Sequence, residues 1–136
     1  MFRTSHTPRR VQLAALLFAF GTLSACGSDP LGPFQPQVSN AADNFQLQAT
    51  NVASVTTTLN YSWTNSGTRA TINHSTVTSA GTTLLVIKDG AGATVYSKAL
   101  SPSLNEPTTV GQAGTWSVQL TITNYSGTLN FRAQKL

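Results

Sequence analysis

The chain has 136 residues, of which eight are Lys or Arg and four are Asp or Glu, giving a formal net charge of +4. Three of the eight basic residues fall within the first ten positions, so the remainder, with five basic and four acidic residues, is nearly neutral. A nearly neutral chain without a basic stripe argues against nucleic-acid binding, which depends on neutralising phosphates with Lys and Arg.

Residues 1–25 have the three parts of an export signal. Arg3, Arg9 and Arg10 precede an apolar run over residues 11–20, and small residues follow it. The apolar run has about half of the ~20 residues that a helix needs to cross a bilayer. A cleaved signal peptide is therefore a better interpretation than a permanent transmembrane helix.

The only cysteine of the chain, Cys26, ends the sequence Leu23-Ser24-Ala25-Cys26. This order after an apolar run resembles the lipobox of bacterial lipoprotein signals. The resemblance implies cleavage before Cys26, diacylation of its sulfur and acylation of the new amino terminus. Several buried acyl chains attach a protein stably to a membrane, whereas a single chain is marginal.

The residue after the cysteine bears on where the protein is placed. It is Gly27, whereas an Asp at this position resembles the inner-membrane retention signal of enteric bacteria. We therefore expect a lipid-anchored protein at the bacterial outer membrane or the cell surface, with the periplasmic face as the alternative. No second cysteine is present, so an internal disulfide is excluded.

Residues 26–43 are predicted to form a flexible, Pro-rich tether. Pro30, Pro33 and Pro36 remove backbone donors and favour extended conformations. Fully extended, this segment would reach about 60 Å. We therefore assign residues 44–136 to a single folded domain.

Period-two alternation of apolar and polar residues dominates the predicted domain. The clearest example is the run from Val55 to Trp63, in which every second residue is apolar or aromatic. Turn-forming residues follow at intervals of 8 to 15 positions. Strands are predicted over residues 45–50, 55–64, 68–78, 84–87, 93–100, 115–122 and 129–133.

Turns, breaks and a loop separate most of these strands, and the first turn is predicted at residues 65–67. Breaks are predicted at residues 79–81, a tight hairpin turn at 89–92, a loop at 102–107 and a turn at 124–127. Seven or eight short strands with such turns predict an all-β fold, specifically an antiparallel β-sandwich of Greek-key or jelly-roll type.

Two stretches resemble bacterial pre-peptidase C-terminal domains. Residues 84–92, Leu-Leu-Val-Ile-Lys-Asp-Gly-Ala-Gly, and the following 94–96, Thr-Val-Tyr, are similar to a strand, Asp-Gly turn and strand of that family. Residues 114–118 and 125–129 resemble its closing strands. The likeness covers about half of the chain after residue 25 and implies a β-sandwich. That module accompanies secreted enzymes, whereas here it would stand alone on an anchor, so only the fold carries over.

Catalysis and metal binding need convergent acids, bases or nucleophiles, and few are available. Asp89 precedes Gly90, where Asp commonly supports a turn, and this interpretation outweighs a calcium site, which needs six to eight oxygen ligands. Glu106 is predicted to be a solvated loop residue. Nothing in the spacing requires these two carboxylates to converge for glycoside hydrolysis.

His74 is the only histidine after residue 25. Without a cysteine or second histidine nearby, it is better explained as a sheet-surface or partly buried residue than as a zinc ligand. No Gly-x-Ser-x-Gly elbow is present. We therefore expect no enzyme activity, no metal site and no cofactor.

Exposed Trp and Tyr rings can serve as stacking platforms for sugars. Trp63 and Trp116 are in phase with aliphatic neighbours, which predicts core positions. Tyr96 and Tyr125 are out of phase or at a predicted turn, so they are the candidates for exposure and ligand contact.

These observations predict a lipid-anchored envelope or surface lipoprotein with a non-enzymatic β-sandwich that acts in adhesion, envelope structure or partner binding. Its expected partners are the membrane, through the anchor at Cys26, and an envelope protein or polysaccharide. The alternative function is a small carbohydrate-binding module.

Overall fold

The computed structural model describes residues 34–136, which form seven antiparallel β-strands and no helix. In chain order the strands are β1 (Gln37–Ala41), β2 (Asn44–Asn65), β3 (Ala70–His74), β4 (Val77–Lys88), β5 (Thr94–Lys98), β6 (Leu104–Pro107) and β7 (Gly114–Lys135). The predicted all-β class is confirmed.

The two strands of 22 residues, β2 and β7, organise the fold. The rings of Phe45 and Tyr61 on β2 lie 5.4 Å apart, although the same length of straight strand would separate them by about 50 Å. The backbone N–H of Asp43, just before β2, donates to the carbonyl of Thr64 near its end, at 2.8 Å. β2 therefore bends back on itself, and β7 follows it because the two strands pair along most of their length.

Bending divides the strands into two layers of a β-sandwich. In the first layer, residues 44–52 of β2 pair with 127–134 of β7, flanked by β1 on one side and by β3 and β6 on the other. In the second layer, the later half of β2 pairs with the first half of β7, followed by β4 and β5.

Residues with positive φ produce the bends. On β2, Asn51 and Ser54 have φ of 55° and 51°, and the pairing with β7 shifts register there. On β7, Asn124 and Gly127 have φ of 45° and 142°. A Cβ at position 127 would lie 2.1 Å from the carbonyl oxygen of Val77, so this close approach of two strands requires glycine.

A single hydrophobic core lies between the layers. At its centre Trp63 and Trp116 are directly opposite each other on β2 and β7, with their rings in an edge-to-face arrangement at 5.7 Å. Both are fully buried, so the prediction that they belong to the core is confirmed. Phe45, Phe131 and the aliphatic residues of the alternating runs complete the core.

The domain begins earlier than predicted. Gln37–Ala41, which the sequence assigned to the tether, form β1 and pair with β2, and Phe34 is buried in the core. The boundary at residue 44 is therefore wrong, because the extended conformation that the prolines favour is also that of a strand. Residues 26–33 of the predicted tether and the predicted signal, 1–25, lie outside the described residues.

Three predicted interruptions are also wrong. Residues 79–81 lie within β4, where Gly81 has a φ of 79° and the pairing with β7 shifts. Residues 124–127 lie within β7 as a bend. Part of the predicted loop at 102–107 forms β6, which pairs with β3. The predicted hairpin through residues 89–92 is confirmed as the β4–β5 connection.

Candidate functional site

Neither candidate tyrosine is exposed. Tyr96 on β5 is 6% exposed and Tyr125 on β7 is fully buried, so the predicted exposure is wrong for both. Tyr125 sits at the bend of β7, and its hydroxyl lies 3.1 Å from the carbonyl oxygens of Val77 and Thr128. Its buried ring therefore stabilises the bend from the core side. Cys26, the predicted lipid attachment site, lies outside the described residues.

Tyr96 instead belongs to a buried polar cluster that links the two layers. Its hydroxyl lies 3.0 Å from Nε2 of His74 on β3. The backbone N–H of Ser101 donates to Nδ1 of His74 at 3.3 Å. Because Nδ1 accepts, the neutral ring carries its proton on Nε2, which donates to the oxygen of Tyr96.

Glu106 and Lys98 complete this cluster at its solvent side. Nζ of Lys98 lies 2.6 and 2.8 Å from the two carboxylate oxygens of Glu106. The Glu106 side chain is 25% exposed and stands on β6, so the prediction of a solvated loop residue is wrong. The hydrogen bond from Lys98 lowers the pKa of Glu106 against the opposing effect of burial, and interaction with Tyr96 lowers it further.

The surroundings shift the pKa values of His74 and Tyr96 in opposite directions. Burial lowers the pKa of His74, and the nearby negative charge of Glu106 only partly opposes this. Burial raises the pKa of Tyr96, and Glu106 raises it further. His74 and Tyr96 are therefore held neutral near pH 7. The sequence missed this cluster, because His74 and Glu106 converge only through the β3–β6 pairing.

Asp89 holds the β4–β5 turn, as its position before Gly90 predicted. Its Oδ1 accepts the backbone N–H groups of Ala91 and Ala93, and its Oδ2 accepts that of Gln112. Burial alone would raise the pKa of Asp89, but the backbone donors, Gln112 foremost, outweigh it and lower the pKa. Both carboxylate oxygens are thus committed to fixing the turn against the loop before β7.

The most distinctive accessible surface is the outer side of the first layer. Successive side chains of a strand point to opposite sides, so Gln46 and Gln48 point outward where Phe45 and Leu47 are buried. Polar side chains on β7 and β3 point outward between buried residues in the same way. We call this surface the amide face, and its defining residues are Gln37, Gln46, Gln48, Asn73, Asn105, Asn130, Arg132 and Gln134.

Strand pairing arranges the amide face in rows. The central row runs across five strands, each residue directly opposite the next, through Ser39, Gln46, Arg132, Asn73 and Asn105. With neighbouring strands about 4.8 Å apart, this row spans about 19 Å. A second row joins Gln37, Gln48 and Asn130.

Open depressions lie along this face. One of about 510 Å³ is lined by Asn73, Asn105, Arg132 and their neighbours. Two others, of about 270 and 430 Å³, both include Gln37 and Gln48. Outward amides at alternate positions were visible in the sequence, but their assembly into one surface depends on pairing between distant strands.

The outer side of the second layer has a different chemistry. It presents mainly hydroxyl groups, with Thr58 and Thr121 3.2 Å apart across β2 and β7. Its amides make side-chain hydrogen bonds within the layer, since Nε2 of Gln119 donates to Oδ1 of Asn60 at 2.8 Å and the hydroxyl of Thr56 donates to Oδ1 of Asn124 at 3.3 Å. The two outer surfaces of the sandwich are therefore chemically distinct.

Within residues 34–136, no helix has the length and apolar character to cross a membrane. The same part of the chain contains no group of three or more His, Cys, Asp or Glu residues arranged to hold a metal ion. No protein-family model, curated protein or solved structure matches the chain.

Proposed function

We propose that this protein is a lipid-anchored bacterial lipoprotein of the outer membrane or cell surface whose β-sandwich is a non-enzymatic binding or structural module. The observation that carries the proposal is the sequence Leu23-Ser24-Ala25-Cys26 after a basic and then apolar segment. Lipid on Cys26 would give the chain a stable attachment to the bilayer.

The position of Phe34 supports a short distance between the anchor and the domain. Because Phe34 is already buried in the core, the connection from Cys26 spans at most about 28 Å. The first strand starts with Gln37, opposite Gln48 and close to the bend at Asn51. The bend end of the sandwich would therefore lie nearest the bilayer.

The engagement of the ionisable groups supports a non-enzymatic role. Asp89 is occupied by backbone donors, and Glu106 by Lys98. Asp43 accepts from Ser66 and pairs with Lys135. These groups have structural partners already, whereas a general acid or base needs access to a substrate.

Metabolic labelling with radioactive palmitate tests this proposal. The chain is expressed in a bacterium, and membranes are separated from soluble proteins. We expect label in the membrane-bound chain, no label in Cys26→Ser, and unchanged labelling in Ser28→Ala, a matched small-residue control beside the site. Label that survives Cys26→Ser, or an unlabelled parent chain in the soluble fraction, would contradict the proposal.

A further inference from the structure

We propose that the amide face binds a neutral polysaccharide, with Asn73, Asn105 and Arg132 among its contacts. This inference rests on the proposed function of a non-enzymatic binding module, and it names the ligand class and the surface. It does not use Tyr96 or Tyr125, because both rings are buried.

Several side-chain amides of the amide face have donors and acceptors that no other described residue uses. Each amide offers an acceptor oxygen and two donor hydrogens. On the amide face Arg132 donates to Gln46 at 3.1 Å, but the side chains of Asn73, Asn105 and Gln134 make no hydrogen bond to another described residue. On the opposite layer, the amide nitrogen of Gln119 donates to the amide oxygen of Asn60 at 2.8 Å. Of the amides on the two outer surfaces, those whose side chains make no hydrogen bond to another described residue therefore lie on the amide face.

The donors and acceptors of the amide face match those of a sugar polymer. Sugar hydroxyls both donate and accept, as amides do, and a repeating chain of hydroxyls matches a surface on which amides repeat at strand spacing. The depression that Asn73 and Asn105 line has little net charge, because its Lys135 pairs with Asp43 at 3.0 Å and Arg132 is its one other charged residue. A polyanion would require a cluster of Lys and Arg.

Side-chain types disfavour a protein partner. Strong protein interfaces centre on Trp, Tyr, Phe or Met in desolvated pockets, and the depressions of the amide face are lined by none of these. Contacts made only by hydrogen bonds are individually weak in water, so many anchored copies acting together would strengthen attachment to a polymer.

Sedimentation with insoluble polysaccharides tests this inference. The full mature lipoprotein, purified in non-ionic detergent, is mixed with cellulose, chitin or cross-linked dextran, and its bound fraction is measured. We expect retention on at least one of these neutral polymers that persists in 0.5 M salt, roughly the range in which counterion-driven binding is lost. Absence of retention on all three, or retention only on alginate beads at low salt, would overturn the inference.

Paired variants locate the surface. Asn73→Ala/Asn105→Ala should lower the bound fraction at least about threefold, because each lost hydrogen bond to a ligand weakens binding measurably. Asn60→Ala/Gln119→Ala, a matched change of two amides on the opposite layer, should leave it unchanged. Should the first variant fail to fold, as judged by its melting curve, Gln37→Ala/Gln48→Ala tests the second row. Equal loss from both layers would overturn the assignment.

The two proposals fail separately. If polysaccharide retention is absent while palmitate labelling is intact, the ligand assignment is overturned and the proposed lipid anchor is unaffected. Loss of labelling with intact retention overturns the anchor alone.

Discussion

The hydroxyl oxygen of Tyr96 lies 3.0 Å from Nε2 of His74, and this contact joins β5 of one layer to β3 of the other. The two rings meet edge to face at 5.9 Å. A buried polar contact stabilises a fold only while each of its groups has a hydrogen-bond partner. The protonation states of His74 and Tyr96 should therefore influence the stability of the whole domain.

Acidification is expected to destabilise the domain through His74. Burial lowers the pKa of His74 in the folded state below its usual 6.5, so the unfolded state binds more protons at mildly acidic pH. Stability should be constant above about pH 7 and fall as the pH drops below about 6.5. Urea unfolding at several pH values measures this, and His74→Gln should flatten the dependence between pH 7 and 5.

The acidic groups provide an internal control for this titration. The pKa values of Asp43, Asp89 and Glu106 are all lowered in the folded state. Their contribution is therefore lost only as the pH falls below the usual carboxylate range of about 4. A stability curve that is flat from pH 7 to 5 in the parent chain would contradict the assignment to His74.

Removal of the Tyr96 hydroxyl should destabilise the fold. In Tyr96→Phe, the Nε2–H of His74 loses its acceptor in a buried site, at a cost of about 1–3 kcal/mol. Tyr61→Phe is the matched control, because the Tyr61 ring packs on Phe45 and its hydroxyl makes no hydrogen bond to another described residue. Chemical denaturation of the two variants should differ accordingly. Equal effects would show that the hydroxyl–imidazole contact contributes nothing.

Alkaline pH is expected to destabilise the protein through its tyrosines. Burial raises the folded-state pKa of Tyr61, Tyr96 and Tyr125, so each phenol stays neutral at pH values where the unfolded chain ionises. Stability should be full below about pH 10 and decrease above it. The ultraviolet absorbance of tyrosinate should therefore rise at a higher pH in the folded protein than in the unfolded chain. A smooth rise centred at pH 10 in the folded protein would contradict this.

Two glycines with positive φ should respond differently to alanine. At Gly92, with φ of 84°, a Cβ would meet no atom within 4 Å, so Gly92→Ala should cost only the conformational penalty of about 1–2 kcal/mol. At Gly127, a Cβ would lie 2.1 Å from the carbonyl oxygen of Val77, so Gly127→Ala should cost clearly more. Thermal melting compares the two. A Gly127→Ala protein as stable as Gly92→Ala would contradict the close approach of β4 and β7.

Local alternation explains why the core strands were predictable. The run from Val55 to Trp63 and the run from Trp116 to Ile122 each place every second side chain inward, and both strands form as predicted. Asp89 could be assigned to its turn because an Asp before Gly bonds to nearby backbone N–H groups, a local interaction.

Nonlocal pairing explains what the sequence did not predict. Residues 124–127 have a turn composition, yet the buried ring of Tyr125 and its hydroxyl contacts convert them into a bend within β7. The four-residue β6 has no apolar alternation of its own and forms because it pairs with β3. The amide face likewise depends on the order of strands, which period-two patterns do not specify.

Mass spectrometry of the amino-terminal peptide from the membrane-extracted protein tests the central claim most directly. The proposed lipobox at Cys26 predicts that this peptide begins with Cys26, carries the mass of a diacylglyceryl group on sulfur and an acyl group on nitrogen, and disappears in Cys26→Ser. An unmodified Cys26, or a mature chain that begins at another residue and is recovered free of membranes, would contradict the lipoprotein assignment.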